Sequence, residues 1–364
     1  MKLFKSLLVA PATLGLLAPM SATASEVTMS DFNAAEEIAV TNSRIDGLEA
    51  RFNNLEAGSF SETTTASFGV EFLVGALDGG DTTAPEAATF DYTMGIGLET
   101  SFTGEDSLSA TIDIGSTSPL ADDGSLVGSA LASPAFFNYN ATEDALVLDG
   151  LTYTFPVGGA TVMVGDNTDI SALYTGACAY NAFTDYAGNC GTGNSVGIGG
   201  NGATAAMSYA FDSGFSLAGG ISSTPTSLLT EEGSDLYGIE AAYTADSFGI
   251  ALAYSDDETT TGWGLNGMYA FDFATISAGV ESVDSGTTAE GFFVGLSFPE
   301  VGPGSFDLGM GTTGNFADGD TEYYTYEASY AYPVNDGVTI TPGVYIVEGA
   351  TDVTGVAVKT SFSF

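Results

Sequence analysis

The chain has no histidine, two cysteines, and five lysines plus arginines among 364 residues. Without histidine there is no Ser–His or Cys–His pair, so the hydrolytic chemistry of some outer-membrane barrels is excluded and the chain reads as no enzyme. Nitrogen ligands are missing too, and an all-oxygen site suits only hard cations such as Ca²⁺ or Mg²⁺. Two cysteines alone cannot complete a zinc tetrahedron. Five basic residues face 47 acids, a formal charge of −42. Phosphate binding needs many lysines and arginines, so nucleic acid is excluded as a partner. Charged residues of both signs make up only 14% of the chain, against about 25% in ordinary soluble domains. Long apolar runs are equally scarce. The one present is N-terminal, and each spanning helix needs about 20 apolar residues, which excludes a bundle of membrane helices. What is abundant is glycine (48), phenylalanine (24) and tyrosine (17). That balance, in a chain long enough for two ordinary domains or one large barrel, fits an all-β transmembrane barrel.

The N-terminal run, "MKLFKSLLVAPATLGLLAPMSATAS", places Lys2 and Lys5 before an apolar stretch from Leu7 to Met20. An A-x-A signal follows at Ala22–Ala24. This is the layout of an export signal cleaved before Ser25; Pro11, Pro19 and the A-x-A oppose a membrane anchor. Residues 1–24 are therefore a signal peptide, 25–58 a short helix and 59–364 the barrel. Cleavage leaves Arg44, Arg51 and Lys359 as the only basic residues. Export also places Cys178 and Cys190 in an oxidising compartment, where a short-loop disulfide is the expected state. By loop entropy such a closure contributes roughly 3 kcal/mol.

Alternation carries the fold. In "TGVAVKTSFSF", Val356, Val358, Thr360, Phe362 and Phe364 share one face, while Gly355, Ala357, Lys359, Ser361 and Ser363 share the other. A period of two marks a strand between two environments. In "FDYTMGIGLETSF" and "YTYEASYAY" the apolar face is again aromatic or branched. The other face is glycine, serine, threonine and scattered acids, as in a barrel with lipid outside and water within. A soluble sandwich also alternates, but its polar face takes many Lys and Glu. Strands are expected at about 66–76, 90–102, 106–115, 145–156, 159–167, 200–211, 214–222, 234–244, 247–256, 260–271, 274–283, 290–299, 304–313, 321–332, 337–348 and 353–364. Sixteen is an even number, as antiparallel closure of a bacterial barrel requires. Turn-like links ("TGED", "PVGG", "DSG", "TADS", "VGPG", "PVNDG") alternate with long segments such as 77–89, 116–144, 167–199, 223–233 and 314–320. Short turns on one side and long loops on the other are the pattern of such barrels.

Upstream of the first strand, Ile38, Ile45 and Phe52 recur at seven, with Leu48 and Leu55 three residues after the second and third. This is an a/d heptad seam, weakened by Thr41 at one d position and by Gly47. Arg44 precedes one a position and Glu49 follows its d; Arg51 and Glu56 repeat the arrangement one heptad later. "RIDGLE" and "RFNNLE" both resemble the Arg-apolar-x-x-apolar-Glu motif of parallel three-stranded coiled coils. There each arginine stem covers the seam and pairs with Glu on a neighbouring helix. A homotrimer is thus expected; a dimer, or a lone helix against or inside the barrel, are the alternatives.

Parity assigns Glu71, Asp91, Glu99, Asp113, Glu240, Glu281, Asp307 and Glu327 to the lumen face, with Lys359 as the only opposing charge. An acidic lumen concentrates cations and repels anions. Acids in "DGGD", "DSGTTAE" and "NFADGDTE" read as loop solvation. "NTD" and "ADGD" offer at most weak Ca²⁺ or Mg²⁺ binding, without EF-hand spacing, so no cofactor is expected.

The chain resembles the porins of marine picocyanobacteria, within the wider cyanobacterial porin family related to carbohydrate-selective porins. The resemblance spans nearly the whole chain. It rests on "MKLFKSLLVAPATLGLLAP", "RIDGLEARFNNLEAGSFSETTTASF", "SFTGEDSLSATID", "YTFPVGGATVMVGD", "AYPVNDGVTITP" and "VKTSFSF". It implies an outer-membrane trimer that admits ions and small solutes passively, with iron or inorganic-ion uptake often proposed. Many members carry an S-layer-homology domain that holds peptidoglycan. This chain has only "EVTMSDFNAAEE" in that place, so wall anchoring is not expected. In porins of this size the third outer loop commonly narrows the pore. That makes Asp166, Asp169 and Asp185 constriction candidates and gives a Cys178–Cys190 disulfide two readings, a brace for the constriction or for a surface loop. Loop residues Tyr174, Tyr180, Phe183 and Tyr186 are candidates to line the narrowing in a sugar-specific channel. A plugged surface barrel is the remaining alternative.

Overall fold

A computed structural model describes residues 64–79, 88–116, 137, 139–140, 142–196, 202–226, 230 and 235–364. The chain divides into Met1–Ser59 and Phe60–Phe364. The expected signal peptide and the expected heptad helix, with Arg44, Ile45, Leu48, Glu49, Arg51, Phe52, Leu55 and Glu56, lie outside the described residues. The strands are β1 (Thr64–Gly79), β2 (Thr89–Thr100), β3 (Ser107–Gly115), β4 (Val147–Val157), β5 (Ala160–Thr168), β6 (Gly202–Ala210), β7 (Phe215–Ser223), β8 (Asp235–Thr244), β9 (Phe248–Asp256), β10 (Thr261–Ala270), β11 (Thr275–Asp284), β12 (Thr288–Val301), β13 (Gly304–Thr312), β14 (Phe316–Ala317), β15 (Tyr324–Asn335), β16 (Val338–Val347) and β17 (Val353–Ser363). Sixteen of them form a closed antiparallel barrel in chain order. The two-residue β14, in the loop between β13 and β15, is an addition that the alternation did not suggest: Phe316 and Ala317 pair with Glu290 and Ala289 at the start of β12. Among the described residues no helix is long and apolar enough to cross a membrane.

Closure comes from β1, which pairs with β2 on one side and β17 on the other. The seam extends past the last strand. Phe68 N–H donates to the Phe364 carbonyl at 2.8 Å, Phe364 N–H returns a bond to Phe68 at 3.1 Å, and their rings stack 5.8 Å apart. A backbone surrounded by hydrocarbon must satisfy its polar groups internally, which only a helix or a closed barrel does.

The two faces differ as their residues demand. On β9, Ile250 and Leu252 are 45% and 49% exposed, whereas Ala251 and Ala253 between them are 2% exposed. The outward set faces lipid and the inward set faces the lumen. Aromatic pairs ring the short-turn end: Tyr209–Phe211, Phe215–Tyr243 and Tyr269–Phe271, each with ring centroids 4.7 Å apart. Their amphipathic rings suit the membrane–water boundary. The turns are built to match. Gly158 and Gly214 adopt φ of 63° and 87°, a region open to glycine without steric cost. In the turn before β3, Asp106 accepts from Thr103 N–H at 2.7 Å and from the Tyr153 hydroxyl at 2.7 Å. The Tyr153 hydroxyl, then the Thr103 N–H, hold its carboxyl well below the usual carboxylate range.

Deleting Phe364 removes both seam bonds and the ring stack. The expected outcome is a several-fold lower yield of heat-modifiable barrel in outer-membrane fractions with secretion unchanged, read on unheated gels. A normal yield would show that the seam closes without the last residue.

Candidate pore and its constriction

The loop after β5 turns inward. Its described part, 169–196, contains 3₁₀ turns at Ile170–Leu173 and Asp185–Gly191 and a short helix at Gly193–Val196. A backbone enclosed by a barrel needs acceptors for its N–H groups, and three lumen-facing glutamates supply them. Glu240 accepts from Thr175 N–H at 2.6 Å and Gly176 N–H at 3.1 Å. Glu327 accepts from the Tyr180 hydroxyl (2.9 Å), Phe183 N–H (2.7 Å), Thr184 N–H (2.8 Å) and the Thr184 hydroxyl (2.5 Å). Glu281 accepts from Ser195 N–H and the side-chain amides of Asn194 and Asn315, all at 2.8 Å. Between these clamps, Ala177 N–H donates to Asn266 and Ala179 N–H to Ser277. The loop thus follows the inner wall from β6 to β16.

Close packing accompanies the bonds. A Cβ on Gly279 would sit 2.0 Å from the Cys190 carbonyl oxygen, and one on Gly343 would sit 2.4 Å from the Phe183 ring. Glycine on the lumen face is what lets the loop lie flat against the strands. Cys178 and Cys190 are bonded, with Cα atoms 5.7 Å apart. The ring they close contains Tyr180, Phe183 and Thr184, the residues that grip Glu327. Of the two readings of the disulfide, the brace of an inward loop is the one the geometry matches. Burial, then the Glu327 carboxylate, pushes the Tyr180 phenol far above its ordinary value, so it stays a neutral donor.

A second inward contact comes from the loop between β3 and β4. Phe137 packs edge-on against Phe183 and Tyr345, with centroids 5.4 and 5.5 Å away. The Tyr139 hydroxyl donates to Glu71. Lys359 Nζ lies 3.9 Å from Glu71 and 5.1 and 5.2 Å from the ring centres of Phe137 and Phe183. A cation over aromatic faces gains about 0.5–2 kcal/mol per contact. The one cation of the barrel therefore sits where the two inward loops meet.

The eight acids that parity placed on the lumen face separate into two groups. Asp91, Glu240, Glu281, Asp307 and Glu327 are 2–4% exposed. Glu240, Glu281 and Glu327 are structural acceptors, a correction to reading them as free wall charges: the loop covers them, and the alternation carries no information about what covers a face. Glu71, with its side chain 25% exposed, Asp113 and Glu99 keep contact with lumen space. Asp166 is also corrected. β5 runs on to Thr168 and pairs Asp166 with Leu151, which puts it on the outward face with Val164 and outside the constriction. Asp169 starts the loop and accepts from the Ser171 hydroxyl. Asp185 is exposed within the lumen. Tyr174, Tyr180 and Tyr186 are at most partly exposed and Phe183 is buried.

One acid close to the lumen-facing Asp113 was missed. Strict alternation gives Asp149 to the lipid face with Leu151. A bulge intervenes: Thr111 pairs with Gly150 and Ile112 with Leu148, leaving Asp149 unpaired. A bulge breaks the period of two and re-aims the side chain. The exposed Asp149 carboxylate now acts electrostatically on Asp113. Among the described residues no group of three or more Cys, Asp or Glu is arranged to hold a metal ion.

Glu327→Ala would orphan four donors, each costing about 1–3 kcal/mol when buried without an acceptor. The expected result is higher single-channel conductance and more open-channel noise with heat-modifiability retained. Unchanged conductance would mean the loop is held by other contacts. Enclosure by loop and wall pushes the Asp185 carboxyl above its ordinary range, countered in part by Lys359. A raised value means the negative charge is lost earlier as pH falls. Any cation preference should therefore weaken on mild acidification, and Asp185→Asn should flatten that dependence; an identical pH profile in the variant would contradict it.

No family model matches the chain. It is 31% identical over 159 residues to an uncharacterised protein of Nostoc sp. (strain PCC 7120), a match spanning 43% of this chain and 27% of that protein. Among solved structures it resembles OprB of Pseudomonas putida (TM-score 0.65, 14% identity, 83% of this chain and 94% of that one). It also resembles a variant of the Rh. blastica porin (TM-score 0.55, 16% identity, 83% and 100%). At such identities the likeness concerns the fold: this is the 16-stranded barrel of bacterial porins.

Proposed function

We propose that the chain forms a water-filled outer-membrane channel through which cations and small hydrophilic solutes diffuse passively, with no catalytic role. The observation that carries this reading is a porin-type barrel whose lumen is narrowed by a clamped loop while its wall acids face a single cation, Lys359, already paired with Glu71. Water-filled lumens with low-dielectric walls amplify wall charge, so an unbalanced set of carboxylates favours cations. In a tenfold KCl gradient across a planar bilayer the reversal potential should take the sign of K⁺ permeation and shrink towards high ionic strength. Anion selectivity would overturn the reading.

A second reading has specific support. Two loops enter the lumen, and Phe137, Phe183 and Tyr345 are 7%, 2% and 1% exposed. A plugged barrel serving as a surface protein would share these features, and the absence of single-channel steps would favour it. The same burial removes Tyr180 and Phe183 from the rings that could stack on a sugar, leaving the partly exposed Tyr174 and Tyr186. Trimer assembly is part of the proposal, resting on the tandem heptads. Changing Ile45, Leu48, Phe52 and Leu55 to serine in the full chain should shift detergent-solubilised protein towards monomer in mass photometry. Each large apolar side chain lost from a seam forfeits about 1.5–3 kcal/mol. Retention of the same oligomer would assign assembly to the barrels instead.

A further inference from the structure

Among the described residues the two inward loops cover the lumen unevenly. Along β6 to β16 the inward side chains are closed off: Ala206, Ala218, Ala242, Ala251, Ser277 and Phe293 are each at most 6% exposed. Along β2 to β5 Asp91 and Met163 are buried and the Asn140 amide donates to the Thr93 hydroxyl at 3.1 Å, but the inward residues Thr93, Ser109, Thr111, Asp113, Thr152 and Thr154 remain partly exposed. The wall under the loop is therefore sealed, and the opposite wall is open over most of its described inward positions.

The acids follow the same division. Glu240, Glu281 and Glu327 spend their oxygens on N–H and O–H donors and are 2–3% exposed. A carboxylate so covered and so fully bonded meets no passing ion and acts only through intervening protein. On the more open wall, Asp149 is exposed, Asp113 is half-buried and accepts from the Asn140 side chain, and the two carboxylates repel one another. The nearest ammonium, Lys359, is held by Glu71 and two rings. Among the described residues no ammonium relieves this repulsion, and in a confined aqueous space mobile cations ease it.

Resting on the channel reading above, we propose that the permeation path follows the β2–β5 wall and that Asp113 and Asp149 are its selectivity-determining residues, acting as a local negative field on ions in transit. The hydroxyls of Ser109, Thr111 and Thr152 give hydrated ions a neutral polar surface along the same wall. Asp149 owes this place to the bulge at Thr111–Ile112.

The test compares reversal potentials in a tenfold KCl gradient for wild type, for Asp113→Asn with Asp149→Asn, and for Asp149→Cys modified after insertion. The described cysteines are both in the disulfide, with none free, so an added thiol reacts alone. The double variant should lower the K⁺/Cl⁻ permeability ratio by about twofold or more. On Asp149→Cys, a sulfonate-bearing methanethiosulfonate should restore the wild-type ratio, and a trimethylammonium-bearing one should lower it further. In-place modification gives an answer even if the double variant inserts poorly. A wild-type channel that prefers cations, with a ratio unmoved by these changes, would overturn the path assignment alone. A wild-type channel without cation preference would overturn the channel reading and this inference together.

Discussion

A loop that enters a barrel brings backbone N–H groups into a space where strands have already paired their own carbonyls. Something on the wall must accept them, and here carboxylates do. Glu240, Glu281 and Glu327 face inward on β8, β11 and β15, and together take hydrogen bonds from Thr175, Gly176, Phe183, Thr184 and Ser195 N–H groups. The path of the loop, the lumen faces it seals and the acids it leaves free all depend on this exchange. Buried carboxylates are costly when unpaired; several charge-assisted bonds to each offset that cost. In an acid-rich, base-poor chain, backbone amides do the work that arginines do elsewhere.

The glycines and the disulfide serve the same constraint. Gly279 and Gly343 allow contact distances that any side chain would block. The Cys178–Cys190 bond limits the freedom of the segment that carries the Glu327 contacts. The second inward loop leans on the first through Phe137 and Phe183, and Lys359 is positioned at that junction by rings and by Glu71. The barrel interior is thus asymmetric: one wall is a packed interface, the other a wet surface.

Much of the barrel was legible in the sequence, because a period of two between lipid and water is imposed at every position of every strand. All sixteen barrel strands fall where alternation places them, within a few residues of their ends. The face of Glu240 or Glu327 was equally legible. Their role was not, since it depends on residues 65 and 147 positions away along the chain, and no local pattern encodes that meeting. Asp149 was hidden because one bulge reverses parity, and bulges leave no fixed sequence signature. Asp166 was misplaced because it was assigned to the constriction loop, although it lies within the expected strand 159–167 and pairs with Leu151 on the outward face. The two-residue β14 is too short for alternation to register. Arg44 and Arg51 lie in the heptad segment, whose placement rests on its pattern alone.

The central claim is that the lumen has one sealed wall and one open one. Thiol accessibility measures this directly. Ala251 on β9 and Thr152 on β4 both face inward; Ala251 is 2% exposed and Thr152 is partly exposed. Cysteine introduced at each position, in separate full-length variants inserted in a bilayer, is treated with a charged, water-soluble thiol reagent while current is recorded. The account predicts a rapid stepwise change in current for Thr152→Cys and none for Ala251→Cys. Rapid modification of Ala251→Cys with silence at Thr152→Cys would place the passage on the other wall and contradict it.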